Sequence, residues 1–139
     1  MKSYLKTTAG FVLSATMATA SFGATVNVGE LQGFTGPLES MIGPMSGGAN
    51  LAVTEANASG NYLYGTINVV QGDSVCIDPA VAIAQAEKMV NDDNVMAIMG
   101  PNCSGNTGAV ITNVLVPNGI VSISPSATSP ALTTLEDGG

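Results

Sequence analysis

The segment VMAIMGPNCSGNT, residues 95–107, decides the fold of this chain. Its first five residues form an apolar run, which is typical of a strand in a parallel sheet that is covered on both faces. A Gly-Pro turn follows, and then come small polar residues of the kind that begin helices. The segment therefore predicts a strand–turn–helix unit whose turn directs backbone N–H groups toward an anion at the carboxyl end of the strand.

The same segment resembles a nucleotide phosphate-binding loop but lacks its charged residue. Gly100, Gly105 and Thr107 match the spacing of G-x-x-x-x-G-K-[ST], but Asn106 occupies the lysine position. An amide cannot neutralise the charge of the β- and γ-phosphates. A smaller anion, such as a carboxylate, is the better expectation.

Strand and helix patterns alternate on both sides of this segment. The predicted order is strand 26–31, helix 44–58, strand 66–70, helix 79–91, strand 95–99, helix 104–114 and strand 120–123. Asp78 before Pro79, and Ser104 after the turn, are the predicted N-caps of the second and third helices. Repeated β-α-β units imply right-handed crossovers, so the fold class is α/β with a parallel, Rossmann-like sheet.

Apolar spacing predicts which side chains the first two helices bury. For the first helix they are Met45, Ala49, Ala52, Val53 and Ala56, and for the second Ala82, Ala86, Met89 and Val90.

Composition excludes several classes of function. The chain has 139 residues, a formal net charge of −7, no histidine, and only lysines as basic residues. Such a chain cannot form the basic patch that nucleic acid requires, so we expect no nucleic-acid partner. Without histidine there is no imidazole base or ligand, and two cysteines alone cannot complete a four-thiolate zinc site. We therefore expect no catalytic residues, no metal and no cofactor, and we do not expect an enzyme.

The N-terminus predicts export. Lys2 and Lys6 precede an apolar stretch at 9–20, and Ala18-Thr19-Ala20 fits a cleavage site. We assign residues 1–24 to a signal peptide and residues 25–139 to the mature domain, located in the periplasm. A membrane anchor is the alternative, although the apolar stretch is short for a bilayer span.

The two cysteines, Cys76 and Cys103, both fall in the mature part, each beside the carboxyl end of a predicted strand. An oxidising compartment favours one disulfide between them, and two free buried thiols are the alternative.

Five segments in order carry a resemblance to a known family. The segments are 36–37 (GP), 48–53 (GANLAV), 72–79 (GDSVCIDP), 100–104 (GPNCS) and 124–133 (SPSATSPALT). They resemble the N-terminal part of type I periplasmic binding proteins of ABC importers, of the branched-chain amino-acid (Leu/Ile/Val) kind. The resemblance implies the first of two ligand-binding lobes, and only an incomplete part of it. It also implies two partners, a small-molecule ligand such as an amino acid and the membrane permease of an ABC transporter.

The resemblance assigns the candidate ligand-binding residues. Ser104 matches the serine that holds the carboxylate of the ligand, and Thr128 the threonine that binds its amino-acid head group. Ser126 matches a position whose backbone contacts the ligand, Ala127 lies in the same segment, and Cys103 lies against the ligand. The Cys76 and Cys103 positions match a disulfide of close relatives. Simpler interpretations stay open: Ser104 as a plain N-cap, and Ser126 and Thr128 as turn residues between two prolines.

Two other functions remain as alternatives. The ligand-sensing domain of a signalling receptor would use the same fold. A nucleotide-binding Rossmann-type enzyme would need a lysine in the loop or G-x-G-x-x-G after the first strand, and the sequence has neither.

Overall fold

The fold is a four-stranded parallel sheet with helices between its strands. The computed structural model of the chain describes residues 23–62 and 65–137. The strand order is β2-β1-β3-β4, and every neighbouring pair is parallel. The strands are β1 Ala24–Gln32, β2 Gly65–Asp73, β3 Val95–Met99 and β4 Val121–Ile123. This arrangement confirms the α/β class and the parallel sheet.

The helices follow the predicted alternation. They are α1 Glu39–Ser59, α2 Pro79–Asn91, α3 Ser104–Val110, a π-helical turn Ile111–Leu115, α4 Val116–Asn118 and a 3₁₀ turn Pro130–Thr134. The predicted cap of α2 is present, because Asp78 Oδ1 accepts a hydrogen bond from the backbone N–H of Ala80 at 2.9 Å. Within the described ranges, no helix combines the length and apolarity needed to cross a membrane.

The start of α1 differs from the prediction. The helix begins at Glu39 rather than near Pro44, which lies inside it. Proline at this point removes a bond to the carbonyl of Ser40, an exposed residue in the first turn, where water can replace the bond. The helix therefore tolerates a residue that usually marks a helix start.

The start of α3 also differs. The N-cap is Cys103, without a side-chain hydrogen bond, and Ser104 is the first helical residue rather than the cap. The Ser104 hydroxyl accepts hydrogen bonds from a later loop instead.

The hydrophobic core lies between the sheet and the helices α2 and α3. The cluster contains Leu31, Ala82, Ala86, Met89, Val95, Ile98, Val110, Val114 and Leu115. Two glycines let α2 approach, since a Cβ on Gly29 would lie 3.1 Å from Met89 Sδ and one on Gly72 would lie 2.6 Å from Met89 Cε. The predicted face of α2 is confirmed, with Val90 packed against the cluster as a partly buried member.

The opposite face of the sheet is only partly covered. Helix α1 packs against β2 and buries Ile42, but Ala52, predicted to be buried, is exposed. Past α1, an apolar groove of about 240 Å³ is lined by Val28, Ala97, Ile98, Met99, Val121 and Ile123. Ile123 is 74% exposed. Coverage on both faces, expected from the apolar β3 sequence, is therefore not found at β3 and β4 in the described residues.

The predicted signal peptide, residues 1–24, lies outside the described residues except for Gly23 and Ala24. Ala24 is the first residue of β1 and pairs with Gly65.

Candidate functional site

The turn after β3 lies at the centre of the carboxyl edge of the sheet. Gly100 has a φ of 115°, and a Cβ there would overlap the carbonyl oxygen of Leu31 in β1. Its N–H donates to the carbonyl of Ile123 in β4 at 2.8 Å. Only glycine fits this position. Because Gly100 contacts both β1 and β4, residues 100–104 lie between the ends of these two strands.

Three alternate serines fasten the segment after β4 to this turn. The Ser122 hydroxyl donates to the carbonyl of Gly100, Ser124 to that of Pro101 at 2.6 Å, and Ser126 to that of Asn102 at 2.8 Å. Side chains at i, i+2 and i+4 of an extended chain share one face, so a single face meets three successive carbonyls. We call residues 122, 124 and 126 the serine ladder.

Ser104 joins the next part of the same segment to the start of α3. Its Oγ accepts hydrogen bonds from the backbone N–H groups of Thr128 at 3.0 Å and Ser129 at 3.1 Å. A hydroxyl has two lone pairs and one hydrogen, so these two bonds occupy both lone pairs. The described residues offer no acceptor for the Ser104 hydrogen, which stays available to an outside acceptor.

A disulfide joins the loop after β2 to the turn after β3. Cys76 and Cys103 are bonded, with their Cα atoms 5.5 Å apart, as the sequence led us to expect. The loop before Cys76 is unusual, because Val75 and Cys76 have φ values of 48° and 67°. A β-branched residue rarely adopts this left-handed region, so other bonds must hold the loop in place.

Asp73 supplies those bonds at the end of β2. One oxygen accepts the N–H groups of Val75 at 2.9 Å and Thr35 at 3.3 Å, and the other accepts the Thr35 hydroxyl at 2.6 Å. Burial raises the pKa of Asp73, but these hydrogen bonds and one from the Phe34 backbone outweigh it and leave the pKa below its ordinary value of 3.8. The ionised carboxylate thus ties the loops after β1 and β2 together.

The residues that resemble a phosphate-binding loop point inward. Asn106 is 1% exposed and donates through Nδ2 to the carbonyl of Ser74 at 2.8 Å. The Thr107 hydroxyl donates to the carbonyl of Pro101 at 2.9 Å. Both side chains therefore have hydrogen-bond partners inside the fold.

The structure brings the five candidate ligand-binding residues to one rim. Ser104 contacts the backbone of Thr128, Ser126 contacts that of Asn102, and the Ala127 N–H donates to Ser124 Oγ at 3.0 Å. Thr128 is exposed, and Cys103, Ser104, Ser126 and Ala127 are half-buried. A cleft of about 390 Å³ is lined by none of these five residues; its lining includes Ile111, Leu115, Ile120, Ser122 and Asp137.

Sequence reasoning missed three residues of this rim. Ser124 and Asn102 hold the two segments together, and the Ser129 N–H shares the Ser104 hydroxyl. The pattern S-x-S-x-S at 122–126 was the available signal for the ladder. Across 23–62 and 65–137, no group of three or more histidine, cysteine or acidic side chains could hold a metal ion.

Comparison with known proteins gives consistent results. A family model described as "Periplasmic binding protein" matches residues 25–136. The Leu/Ile/Val-binding protein of Escherichia coli K12 is 34% identical over 105 residues, which are 68% of this chain and 28% of the relative. The branched-chain amino acid transporter substrate-binding protein of Streptococcus pneumoniae, solved with isoleucine, superposes with a TM-score of 0.72 at 34% identity, covering 79% of this chain and 31% of that one.

A more distant neighbour shows the fold alone. The solute-binding protein of an ABC transporter from Rhodopseudomonas palustris, solved with benzoate, has a TM-score of 0.64 at 23% identity over 75% of this chain and 28% of that one. The chain thus spans less than a third of the length of each of these three proteins. With the parallel sheet and the family match over nearly the whole described region, the chain belongs to the periplasmic binding protein family, of the branched-chain amino-acid transporter type.

Proposed function

We propose that this chain supplies one wall of the ligand site in the solute-binding component of an ABC importer. The ligand is an amino acid or a related small carboxylate, bound in the periplasm through its carboxylate head group. A membrane permease then receives the ligand. The role is binding rather than catalysis, because the rim carries hydroxyls and N–H groups and no general base.

The Ser104 hydroxyl is the observation that carries the proposal. Two backbone N–H groups occupy its lone pairs, so its hydrogen is left to donate outward. The Thr128 side chain stands on the same loop, is exposed, and its hydroxyl has no partner among the described residues. Two neighbouring hydroxyl donors on one rim suit a carboxylate, since hydrogen bonds to a charged acceptor are the stronger kind.

The ligand's other groups need partners that this rim does not provide. An α-ammonium requires an acidic acceptor, and both Asp73 oxygens already accept bonds from the loops around it. The resemblance to type I periplasmic binding proteins implies that the second lobe supplies that partner. The described residues offer one wall of a site, so we expect affinity for leucine-like amino acids no better than about millimolar, a free energy near −4 kcal/mol.

The first experiment identifies the head group by NMR titration of the 139-residue chain. Leucine, isoleucine and valine should shift the resonances of Ser104 and Thr128, whereas leucinamide, which lacks the carboxylate, should not. Benzoate keeps the carboxylate and lacks the ammonium, so its binding would show that the rim selects the anion alone. Equal shifts with leucine and leucinamide would contradict the proposed carboxylate site.

Matched serine variants separate ligand binding from loop anchoring. Ser104 and Ser124 each accept two backbone N–H groups from residues 126–129, but the Ser124 hydrogen already donates to Pro101. Ser104→Ala should therefore lose a ligand contact that Ser124→Ala keeps. In this chain extended by the second lobe, Ser104→Ala with Thr128→Ala should weaken binding by about 2–5 kcal/mol, because each hydroxyl meets a charged group in a dry site. Calorimetry measures the loss, and an equal loss in Ser124→Ala would assign the serines to loop anchoring only.

Export is tested separately. Fractionation and N-terminal sequencing of the expressed protein should find a periplasmic product that starts between Ser21 and Thr25. A full-length cytoplasmic product would overturn the proposed location.

A further inference from the structure

A buried asparagine, Asn102, lies where the loops of the rim meet. Its side chain is 3% exposed. The side-chain Oδ1 accepts a hydrogen bond from the backbone N–H of Gly33, in the loop after β1, at 2.9 Å. The backbone carbonyl of Asn102 accepts a hydrogen bond from the Ser126 hydroxyl at 2.8 Å. Cys76 Sγ lies 3.6 Å from the same Oδ1. Because Cys76 is in the disulfide and carries no hydrogen, this is a packing contact and not a hydrogen bond.

These contacts determine which way the amide faces. Gly33 N–H is a donor, so the atom that meets it must be the carbonyl oxygen of the side chain. The Nδ2 group must therefore point away from Gly33. The side chain of Asn102 is thus held in one orientation by its neighbours.

The Nδ2 group has donors without a partner. No hydrogen bond joins it to any described residue. Among the side chains of the described residues, the fully enclosed polar atoms without a partner are Gln32 Oε1 and Ser74 Oγ, so Asn102 Nδ2 keeps a narrow opening to solvent. A nearly buried amide usually satisfies its donors, because an unsatisfied polar group loses its hydration without compensation. Asn102 stands two residues before Ser104 in the same turn, and its backbone carbonyl accepts the Ser126 hydroxyl of the rim.

We infer that Asn102 is a specificity-determining residue of the site, and that its Nδ2 donates a hydrogen bond to the carboxylate of the ligand. The inference rests on the proposed function and gives a role to a side chain that the family resemblance left without one. Asn102 places an uncharged N–H donor at this position. An aspartate here would repel the carboxylate of the ligand. Its Oδ1 and its backbone carbonyl also tie Gly33 and Ser126 to the turn after β3.

The substitution Asn102→Asp tests the donor with little change of shape. The aspartate keeps an oxygen for Gly33 N–H and replaces Nδ2 by a negatively charged oxygen. We expect at least a tenfold loss of affinity for leucine and valine in NMR titrations of the chain, with protection of the Gly33 amide from hydrogen exchange retained. Asn102→Ala should lose both the affinity and the Gly33 protection. Asn61→Asp, which adds the same charge at an exposed position after α1, is the matched control and should bind as wild type.

A direct readout completes the experiment. The side-chain N–H₂ pair of Asn102, identified by its absence from the Asn102→Asp spectrum, should shift with leucine at the same half-saturation as Ser104. If Ser104 and Thr128 shift while this pair stays still and Asn102→Asp binds normally, this inference fails alone. If no carboxylate shifts any resonance of the rim, the proposed function fails, and the inferred donor role fails with it.

Discussion

The two faces of the sheet carry similar apolar residues but differ in how far those residues are buried. On the face under α2 and α3, Ile98 is 2% exposed and packs within the core cluster. On the other face, Ile123, one strand away, is 74% exposed beside the apolar groove. The two faces also differ in the polarity of their buried side chains. Beneath α1, the polar side chains of Glu30 and Gln32 are buried, at 1% and 0% exposure. We therefore expect the face under α2 and α3 to contribute most of the folding stability. We expect the face with the apolar groove to promote self-association of the chain.

Helix α1 explains part of this asymmetry. It contains Gly43, Gly47 and Gly48, and a Cβ at any of these would meet no atom within 4 Å. These glycines are therefore not needed for a close approach between elements. Each lowers the intrinsic stability of the helix by about 1 kcal/mol relative to alanine. Helix α2, in contrast, buries Ala82, Ala86 and Met89 against the sheet.

The largest expected effect comes from the same substitution made on each face. Ile98→Ala should destabilise the chain by about 4 kcal/mol, because it leaves a cavity in a closed core. Ile123→Ala removes the same atoms from an exposed site and should change the free energy of unfolding by less than about 0.5 kcal/mol. Urea unfolding measures both. A similar loss in the two variants would show that the second face is covered in solution.

Ile123→Ser supplies the association arm of that comparison. It should reduce self-association in sedimentation experiments, because it places a hydroxyl in an exposed apolar groove. If Ile98→Ala and Ile123→Ser changed self-association equally, the assignment of association to the second face would be wrong.

The disulfide should have the next largest effect. Cys76 and Cys103 are 27 residues apart in sequence, and closing such a loop stabilises the native state by about 3 kcal/mol in the chain-entropy model. Thiol labelling of the unfolded, unreduced protein should find almost no free thiol. The double variant Cys76→Ala, Cys103→Ala should lose about that free energy in urea unfolding. Two labelled thiols per chain in the unfolded, unreduced protein would refute the bond.

A smaller effect should appear at the polar cluster under α1. Glu30 accepts bonds from Gln32 Nε2 at 2.7 Å and Gln71 Nε2 at 2.9 Å, with no cationic partner in the described residues. Gln32 Oε1 has no partner. Glu30→Gln removes a buried charge and offers an N–H that a rotated Gln32 amide can accept. We expect about 1 kcal/mol of added stability at pH 7.

The control for this cluster is Glu39→Gln, which neutralises an exposed carboxylate in the first turn of α1. It should lose a small favourable interaction with the helix dipole and slightly lower stability. If Glu30→Gln and Glu39→Gln raised the free energy of unfolding equally, the cause would be the change in net charge and not the burial of Glu30.

The sequence predicted the elements whose local signals agree with their packing. Asp78-Pro79 marks the start of α2 and Val95–Met99 the bounds of β3, because cap chemistry and apolar runs act over a few residues. It did not predict the start of α1, since proline usually marks the first turn of a helix and here lies inside one.

The rim was predictable only in part. The resemblance identified Ser104 and Thr128, and the structure explains their proximity by backbone bonds to the Ser104 hydroxyl. Asn102 and the serine ladder depend on contacts between segments more than 20 residues apart, at positions 100–102 and 122–126. The S-x-S-x-S pattern predicts that the three serines share a face, but it does not say which carbonyl groups that face meets.

The smallest expected effect concerns Asp73 and the loops that belong to neither face. Its pKa is lowered in the folded chain, so the ionised form stabilises the fold above the unfolded value near 3.8, and this contribution is lost as the pH falls through the lower folded value. Asp73→Asn should lower stability at pH 7 by less than about 1 kcal/mol, because the carboxylate is partly solvated. The difference from wild type should shrink as the pH drops below about 4 and through the lowered pKa of the folded state. Asp92→Asn, at an exposed position, is the control for net charge. Urea unfolding across this range decides the point, and a difference that stayed constant down to pH 2 would show that lost hydrogen-bond geometry, and not ionisation, is what the loops require.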